Sequence, residues 1–175
     1  MLSDVEISAG MLSGQIVIDP PPLNEHLQPA SIDVHLGNKF GQLVRQREAV
    51  LLTDPSEVVY FEAEELRIAP GEFYLGQLAQ RVRISEWYVA RIEGKSSNGR
   101  RGLAIHVTAG FVDPGWDGYL TVELFNAGPN TLLLCSGDPI GQLAFDRLET
   151  PARRPYGHPE LKSHYQGSDQ VRGGT

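Results

Sequence analysis

Sulfur is scarce in this sequence, and long apolar runs are missing. Cys135 is the only cysteine in 175 residues, so no internal disulfide can form. It lies in the run Thr131-Leu-Leu-Leu-Cys135 with no charged neighbour to lower its thiol pKa, and reads as a small buried hydrophobe rather than a nucleophile. The absence of disulfides is compatible with the cytoplasm, which is the expected compartment. No apolar run approaches the ~20 residues a bilayer-spanning helix needs, so no membrane association is expected. The N-terminal MLSDVEIS has no basic stretch leading into an apolar one, so no signal peptide is expected. Positive charge is also in deficit. The formal net charge of −7 argues against a nucleic-acid partner, which would need a basic face. It does not exclude an anionic small molecule, because Lys95, Arg100 and Arg101 form one tight basic cluster.

Hydrophobic residues make up 41% of the chain, enough to bury the core of one ordinary domain. Ser3 and Glu6 have capping-box spacing and Gly14 is a plausible stop, so one short N-terminal helix is expected. After Pro20-Pro21-Pro22 the pattern turns to period two. Ile32, Val34 and Leu36 alternate with Ser31, Asp33 and His35. Strand-like runs recur at 58–61, 72–76, 81–84, 88–92, 103–108, 119–125 and 142–145, punctuated by Gly, Pro, Asn and Asp. Many short strands with almost no helical period predict an all-β barrel or double-sheet jelly roll. From Pro151 the composition shifts towards Pro and Gly, as in a mobile tail, although Tyr156 and Tyr165 suggest that its first part packs. The expected division is a β-barrel domain over 1–155 and a C-terminal tail over 156–175.

Three segments could carry chemistry. Gly94–Gly102, GKSSNGRRG, joins two strand-like runs; its glycines, hydroxyls and cations suit phosphate oxygens, and equally suit a solvated basic turn. Thr108–Gly118, TAGFVDPGWDG, holds a turn signal at Asp113-Pro114-Gly115. Asp113 either caps that turn or, with Trp116, faces a ligand. In Tyr119–Asn126, Thr121, Glu123 and Phe125 share one face, while Leu120, Val122 and Leu124 share the other. A carboxylate among apolar neighbours is costly unless paired or used, and a general base near neutral pH would be such a group. His26 and His158 fall in polar loops, and His106 in an apolar run reads as a core or interface histidine.

Taken together, LSDVEI, QPASIDVHLGNKF, EGKSSNGRRGLAIHVTAGFVDPGWDGYLTVELFN, GDPIGQLAF and the PYG and HYQG of the tail resemble the dCTP deaminase family of the dUTPase-like superfamily. The resemblance implies a distorted jelly-roll β-barrel of dUTPase type, assembled as a homotrimer with sites between subunits. It implies removal of the 4-amino group of dCTP, with Mg2+ carried by the triphosphate, no dedicated metal site on the protein, and dTTP as an inhibitor. It implies Glu123 as the proton carrier, Ser96 and the Ala109 carbonyl holding the water and amino group, and Arg100 steadying Glu123. Substrate contacts are implied for Lys95, Ser97, Asn98, Gly99, Asp113, Trp116, Thr121, Val122, Gln142, Tyr156, His164 and Gln166. The familiar nucleoside deaminases hold zinc with His and Cys, including a PCxxC segment; one cysteine cannot build that site, so no zinc is expected.

The segments TAGF, EGKSS and IGQL also resemble the dUMP-forming branch, which hydrolyses dUTP onward to dUMP and pyrophosphate and so feeds thymidylate synthesis. Gly110, directly after Ala109, stands where deaminase-only relatives carry a larger side chain, and is expected to leave room for a second water. Trp116 leans the other way, since that branch more often has phenylalanine there. Other departures are Asn98 and Arg101 for apolar leucines, His35 for arginine, His164 for lysine and Ser168 for glutamine. The alternatives are a deaminase that releases dUTP, a plain dUTPase using Asp113, and an inactive regulatory homologue.

Overall fold

The computed structural model describes residues 1–174; Thr175, the last residue of the expected tail, lies outside the described residues. Helix α1 (Asp4–Leu12) starts where its capping box requires: the Ser3 hydroxyl accepts the Glu6 N–H and the Glu6 carboxylate accepts the Ser3 N–H. Gly14, at φ 71°, turns the chain into strand β1 (Ile16–Asp19).

The remainder is almost all strand. β2 (Leu27–Gln28), β3 (Ser31–Leu43), β4 (Val58–Glu62), β5 (Glu65–Ile68), β6 (Phe73–Ile84) and β7 (Tyr88–Gly94) lead to a single helical turn, α2 (Ser96–Gly99). β8 (Leu103–Ala104), β9 (Phe111–Val112), β10 (Asp117–Asn126), β11 (Leu132–Cys135) and β12 (Pro139–Arg147) follow. The main sheet runs β8-β10-β6-β3-β12-β7-β9, with β1 also on β6 and β2 and β4 also on β3; β11 and β5 form a separate pair. All of the pairings are antiparallel. The sheet curls around Ile32, Val34, Leu36, Phe40, Leu78, Leu124, Leu143 and Phe145, all essentially inaccessible. This is the all-β barrel with a short N-terminal helix that the sequence predicts.

Two expected runs, 72–76 and 81–84, are one strand, β6. Gln77 and Gln80, which make the intervening segment look polar, are buried in it. Gln80 is satisfied there: its Oε1 accepts the His35 backbone N–H at 3.0 Å, and its Nε2 lies 2.8 Å from His35 Nδ1. On β3 the expected polar side is buried as well, at Ser31 and Asp33, where the side chains of Gln142 and Lys95 lie against them. The run expected over 103–108 keeps strand pairing only at β8. Residues 105–110 form a loop beside β10. Among the described residues no helix is long and apolar enough to cross a membrane.

The residues after β12 do not leave the barrel. Tyr156 packs on Trp116 with ring centroids 5.4 Å apart. Ser168 and Val171 are buried. The Tyr119 N–H donates to the Ser168 carbonyl at 2.8 Å, and the Gly173 N–H reaches the Tyr60 hydroxyl at 3.2 Å.

Candidate active site

A cleft of about 420 Å³ opens between β10, the loop Ala109–Asp113 and the tail. It gathers Glu123, Thr121, Ala109, Asp113, Trp116 and Tyr156 from the expected set. Alternation on β10 explains part of this. Val122 and Leu124 are buried in the core, which leaves Thr121 and Glu123 half-buried on the other face. Only the Val122 backbone can therefore meet a ligand in the cleft. A register shift between Tyr119 and Thr121 breaks the alternation and brings Leu120 into the cleft wall. Sequence period alone assigns Leu120 to the opposite face.

Glu123 is tied to the loop beside it. Its backbone N–H donates to the Ile105 carbonyl at 2.9 Å, and its Oε2 accepts the Val107 N–H at 2.5 Å. The far end of that loop is pinned by the Ile92 N–H on the Gly110 carbonyl at 2.8 Å. A side chain at Gly110 would meet the Ile92 carbonyl at 3.0 Å and the His106 ring at 3.3 Å. That space is occupied by protein, so Gly110 serves close packing of backbone against strand β7, a different role from the open room expected for it.

Tyr156 joins the tail to the cleft. Its N–H donates to the Pro114 carbonyl at 2.7 Å and its hydroxyl accepts the Tyr165 N–H at 3.1 Å. Burial, with the nearby Tyr165 and Asp113 charges assisting, pushes its phenol pKa up and keeps it protonated. Gln166 faces the turn rather than the cleft: it donates to the Gly115 carbonyl at 2.9 Å and accepts the Asp117 N–H at 3.3 Å. His164 is exposed, with its ring 6.0 Å from that of Tyr165.

The other expected residues gather elsewhere. Lys95 forms an ion pair with Asp33, whose side chain is 9% exposed. Next to Asp33 on the sheet, Gln142 accepts the Ser31 hydroxyl at 3.1 Å. Ser96, Ser97, Gly99 and Arg100 are exposed on α2 and the residue after it. Asn98 donates to the Pro139 carbonyl at 3.0 Å. Among the described residues Arg100 makes no ion pair within the chain, with Glu123 or any other carboxylate. One chain thus presents two separate clusters: a carboxylate cleft, and a hydroxyl-rich basic turn that does not line it.

Sequence reasoning missed Asp33, Tyr119, Tyr165 and Arg172. Asp33 Oδ1 is buried without a hydrogen-bond partner. The signal was available, since a carboxylate inside the run Ile32–Leu36 needs a counter-charge once both faces of the strand are covered. Among the described residues no three His, Cys, Asp or Glu side chains converge as metal ligands.

The family model for dCTP deaminase-like proteins matches residues 1–148. The chain belongs to the dCTP deaminase-like family. A dCTP deaminase, dUMP-forming, from Methanobrevibacter smithii is 38% identical over 173 residues, covering 94% of this chain and 89% of the relative. One of the same name from Bifidobacterium animalis subsp. lactis is 42% identical over 175 residues, covering 95% and 89%. The fold is shared with the 2'-deoxycytidine 5'-triphosphate deaminase of Agrobacterium tumefaciens (TM-score 0.63, 20% identity, 84% of this chain and 47% of that one). It is shared too with a point-mutant dUTPase from phage phi11 of S. aureus, described with a structural Mg(II) ion (TM-score 0.54, 16% identity, 88% and 99%).

Proposed function

We propose that this family member hydrolyses the 4-amino group of dCTP without zinc and then hydrolyses the resulting dUTP to dUMP and pyrophosphate. The observation that carries the reading is Glu123, a carboxylate aimed into the cleft and fixed by one backbone N–H, with a second carboxylate, Asp113, in the same cleft. A uracil pocket has no use for a carboxylate at the first position, whereas deamination needs one. Relatives named dUMP-forming at 38% and 42% identity support the second step.

In this reading Glu123 takes a proton from water as the oxygen attacks C4 of the cytosine ring. It passes that proton to the ring nitrogen, then takes the proton of the new C4 hydroxyl and delivers it to the amino group, so that the C4 carbonyl forms as the C4–N bond breaks and ammonia leaves. Ser96 and the Ala109 carbonyl hold the water and the amino group, and Arg100 balances the carboxylate. Thr121 and the Val122 backbone read the base edge, and Asp113, beside Trp116, meets the sugar side. Asp113 then orients a water towards the α-phosphorus. Lys95, Ser97, Gly99 and Gln142 receive the phosphates, and the tail, through Tyr156 and His164, closes over the bound nucleotide, with Gln166 holding the turn at Gly115 beneath it.

The two clusters meet as half-sites when the α2 turn of one subunit lies against the cleft of the next, as in a homotrimer. Magnesium carried by the triphosphate fits the residues present, because Asp33 Oδ1 is a buried oxygen without a partner next to Lys95, one of the phosphate contacts. When bound, the ion neutralises phosphate charge.

Incubation with dCTP tests both steps. Ammonia, dUMP and pyrophosphate should appear together, the reaction should stop on chelation and return with magnesium alone, and dTTP should inhibit. Accumulation of dUTP without pyrophosphate would leave deamination only. Absence of ammonia would overturn the reading, and stoichiometric zinc lost together with activity would overturn the zinc-free chemistry.

A further inference from the structure

Two of the positions that depart from the family pattern, Asn98 and Arg101, line one cavity of about 190 Å³ between α2, β8 and the β11–β12 hairpin. Its apolar wall is Leu103, Leu132, Leu134 and Ile140. Leucines at 98 and 101 would fill such a space and hold the turn by packing. Here the turn is held differently. The Asn98 amide donates to the Pro139 carbonyl, at 3.0 Å, where β12 begins. This links the α2 turn to the strand carrying Gln142. It also commits the donor of Asn98 to protein, although the family resemblance implies a substrate contact there.

We infer that Asn98 is a positioning residue for the reaction: its hydrogen bond to Pro139 sets the α2 turn, and with it Ser96 and Arg100, on the barrel. The backbone bonds within the turn are local. The Gly99 N–H reaches the Lys95 carbonyl and the Arg100 N–H the Ser96 carbonyl, each at 3.0 Å. One turn of helix has no stability of its own, so its position depends on attachments at its ends and side. Lys95 is held by Asp33 at the start, and the Arg101 and Gly102 carbonyls face Gly128 and Ala127 at the far end. Asn98 is the side attachment in the middle. Small displacements of reacting groups cost rate steeply, so the attachment matters for turnover although it does not touch the nucleotide.

The inference rests on the deaminase reading, so the test has one readout that depends on turnover and one that does not. Asn98→Asp is near-isosteric but sets a carboxylate against the Pro139 carbonyl; Asn98→Ala removes the donor without adding charge; Asn98→Leu offers apolar packing in the cavity instead. In Asp and Ala variants kcat for ammonia release from dCTP should fall about 10-fold or more with KM little changed. Amide hydrogen exchange across residues 95–102 should quicken at least ~10-fold while residues 117–126 keep their protection. Asn98→Leu should restore both. Equal loss in Leu and Asp variants with KM raised would mean direct substrate contact and overturn the inference. Unchanged turnover and exchange in the Asp and Ala variants would also overturn it. A wild-type protein that releases no ammonia would sink the deaminase reading alone, because exchange still decides whether Asn98 holds the turn.

Discussion

The Glu123 carboxylate accepts the backbone N–H of Val107 at 2.5 Å, across 16 residues of sequence. That bond places the one carboxylate on the pocket face of β10 against the loop that ends at Ala109 and Gly110. Glu123→Gln keeps an acceptor for Val107, so the loop and fold should persist. Ammonia release from dCTP should fall by ~10²–10⁴-fold or more, since the amide cannot take the water proton. Circular dichroism and thermal unfolding check the fold; full activity in the folded variant would remove Glu123 from the mechanism.

Glu123 lines the cleft and Ser96, on the α2 turn, does not, so the proposed homotrimer leads to a complementation experiment. Glu123→Gln and Ser96→Ala chains should each be nearly inactive alone. Reassembled in equal amounts as trimers, they should recover about a quarter of wild-type activity, because one subunit interface in four pairs two intact half-sites. Light scattering establishes the assembly. No recovery in properly mixed trimers would mean that each site is built within one chain.

Asp33 and Lys95 are a largely buried pair, 9% and 25% exposed at their side chains. Removing one charge leaves the other without its partner in a poorly hydrated place. Asp33→Asn should therefore lower stability by about 3 kcal/mol, read from the urea midpoint. Removing both charges, with Lys95→Met added, should recover much of that. A single Asp33→Asn change with no loss of stability would show that water reaches the pair freely.

His35 gives a pH dependence with a defined sign. Gln80 Oε1 accepts the His35 backbone N–H, which leaves Gln80 Nε2 to donate to His35 Nδ1 and requires that nitrogen to be unprotonated. The imidazole also sits 4.5 Å from the His26 ring. Burial, then the His26 charge, lower the His35 pKa from 6.5; Asp33 opposes and Lys95 reinforces the shift. The unfolded chain therefore takes up this proton first. Stability is intact above pH 6.5 and declines as pH falls below it towards the folded value. Melting temperatures measured from about pH 7 to pH 5 should drop more steeply for wild type than for His35→Gln. Parallel curves would show that His35 does not carry the effect.

The features written in neighbouring residues were legible. Ser3 and Glu6 specified their helix start because a cap involves atoms three residues apart. The alternation of Val122 and Leu124 with Thr121 and Glu123 placed the carboxylate on the open face because the strand period is local geometry. The bulge at Leu120 depended on how β10 meets β6, and so escaped the same rule. Gln77 and Gln80 hid the continuity of β6 because polar residues look solvated until the fold brings partners to them, as it brings His35 to Gln80.

By itself the sequence determined the all-β class, the helix start, the family and the identity of the candidate carboxylate, since each rests on side-chain chemistry or on spacing of a few residues. Only the tertiary structure decided that Asp33 meets Lys95, that Gly110 is closed against Ile92 and His106, that Gln166 holds a turn rather than facing the cleft, and that Ser96 stands outside the cleft lined by Glu123. Those relationships join residues far apart in the chain. They are fixed by the order in which curled, antiparallel strands pair, and no local pattern encodes that order.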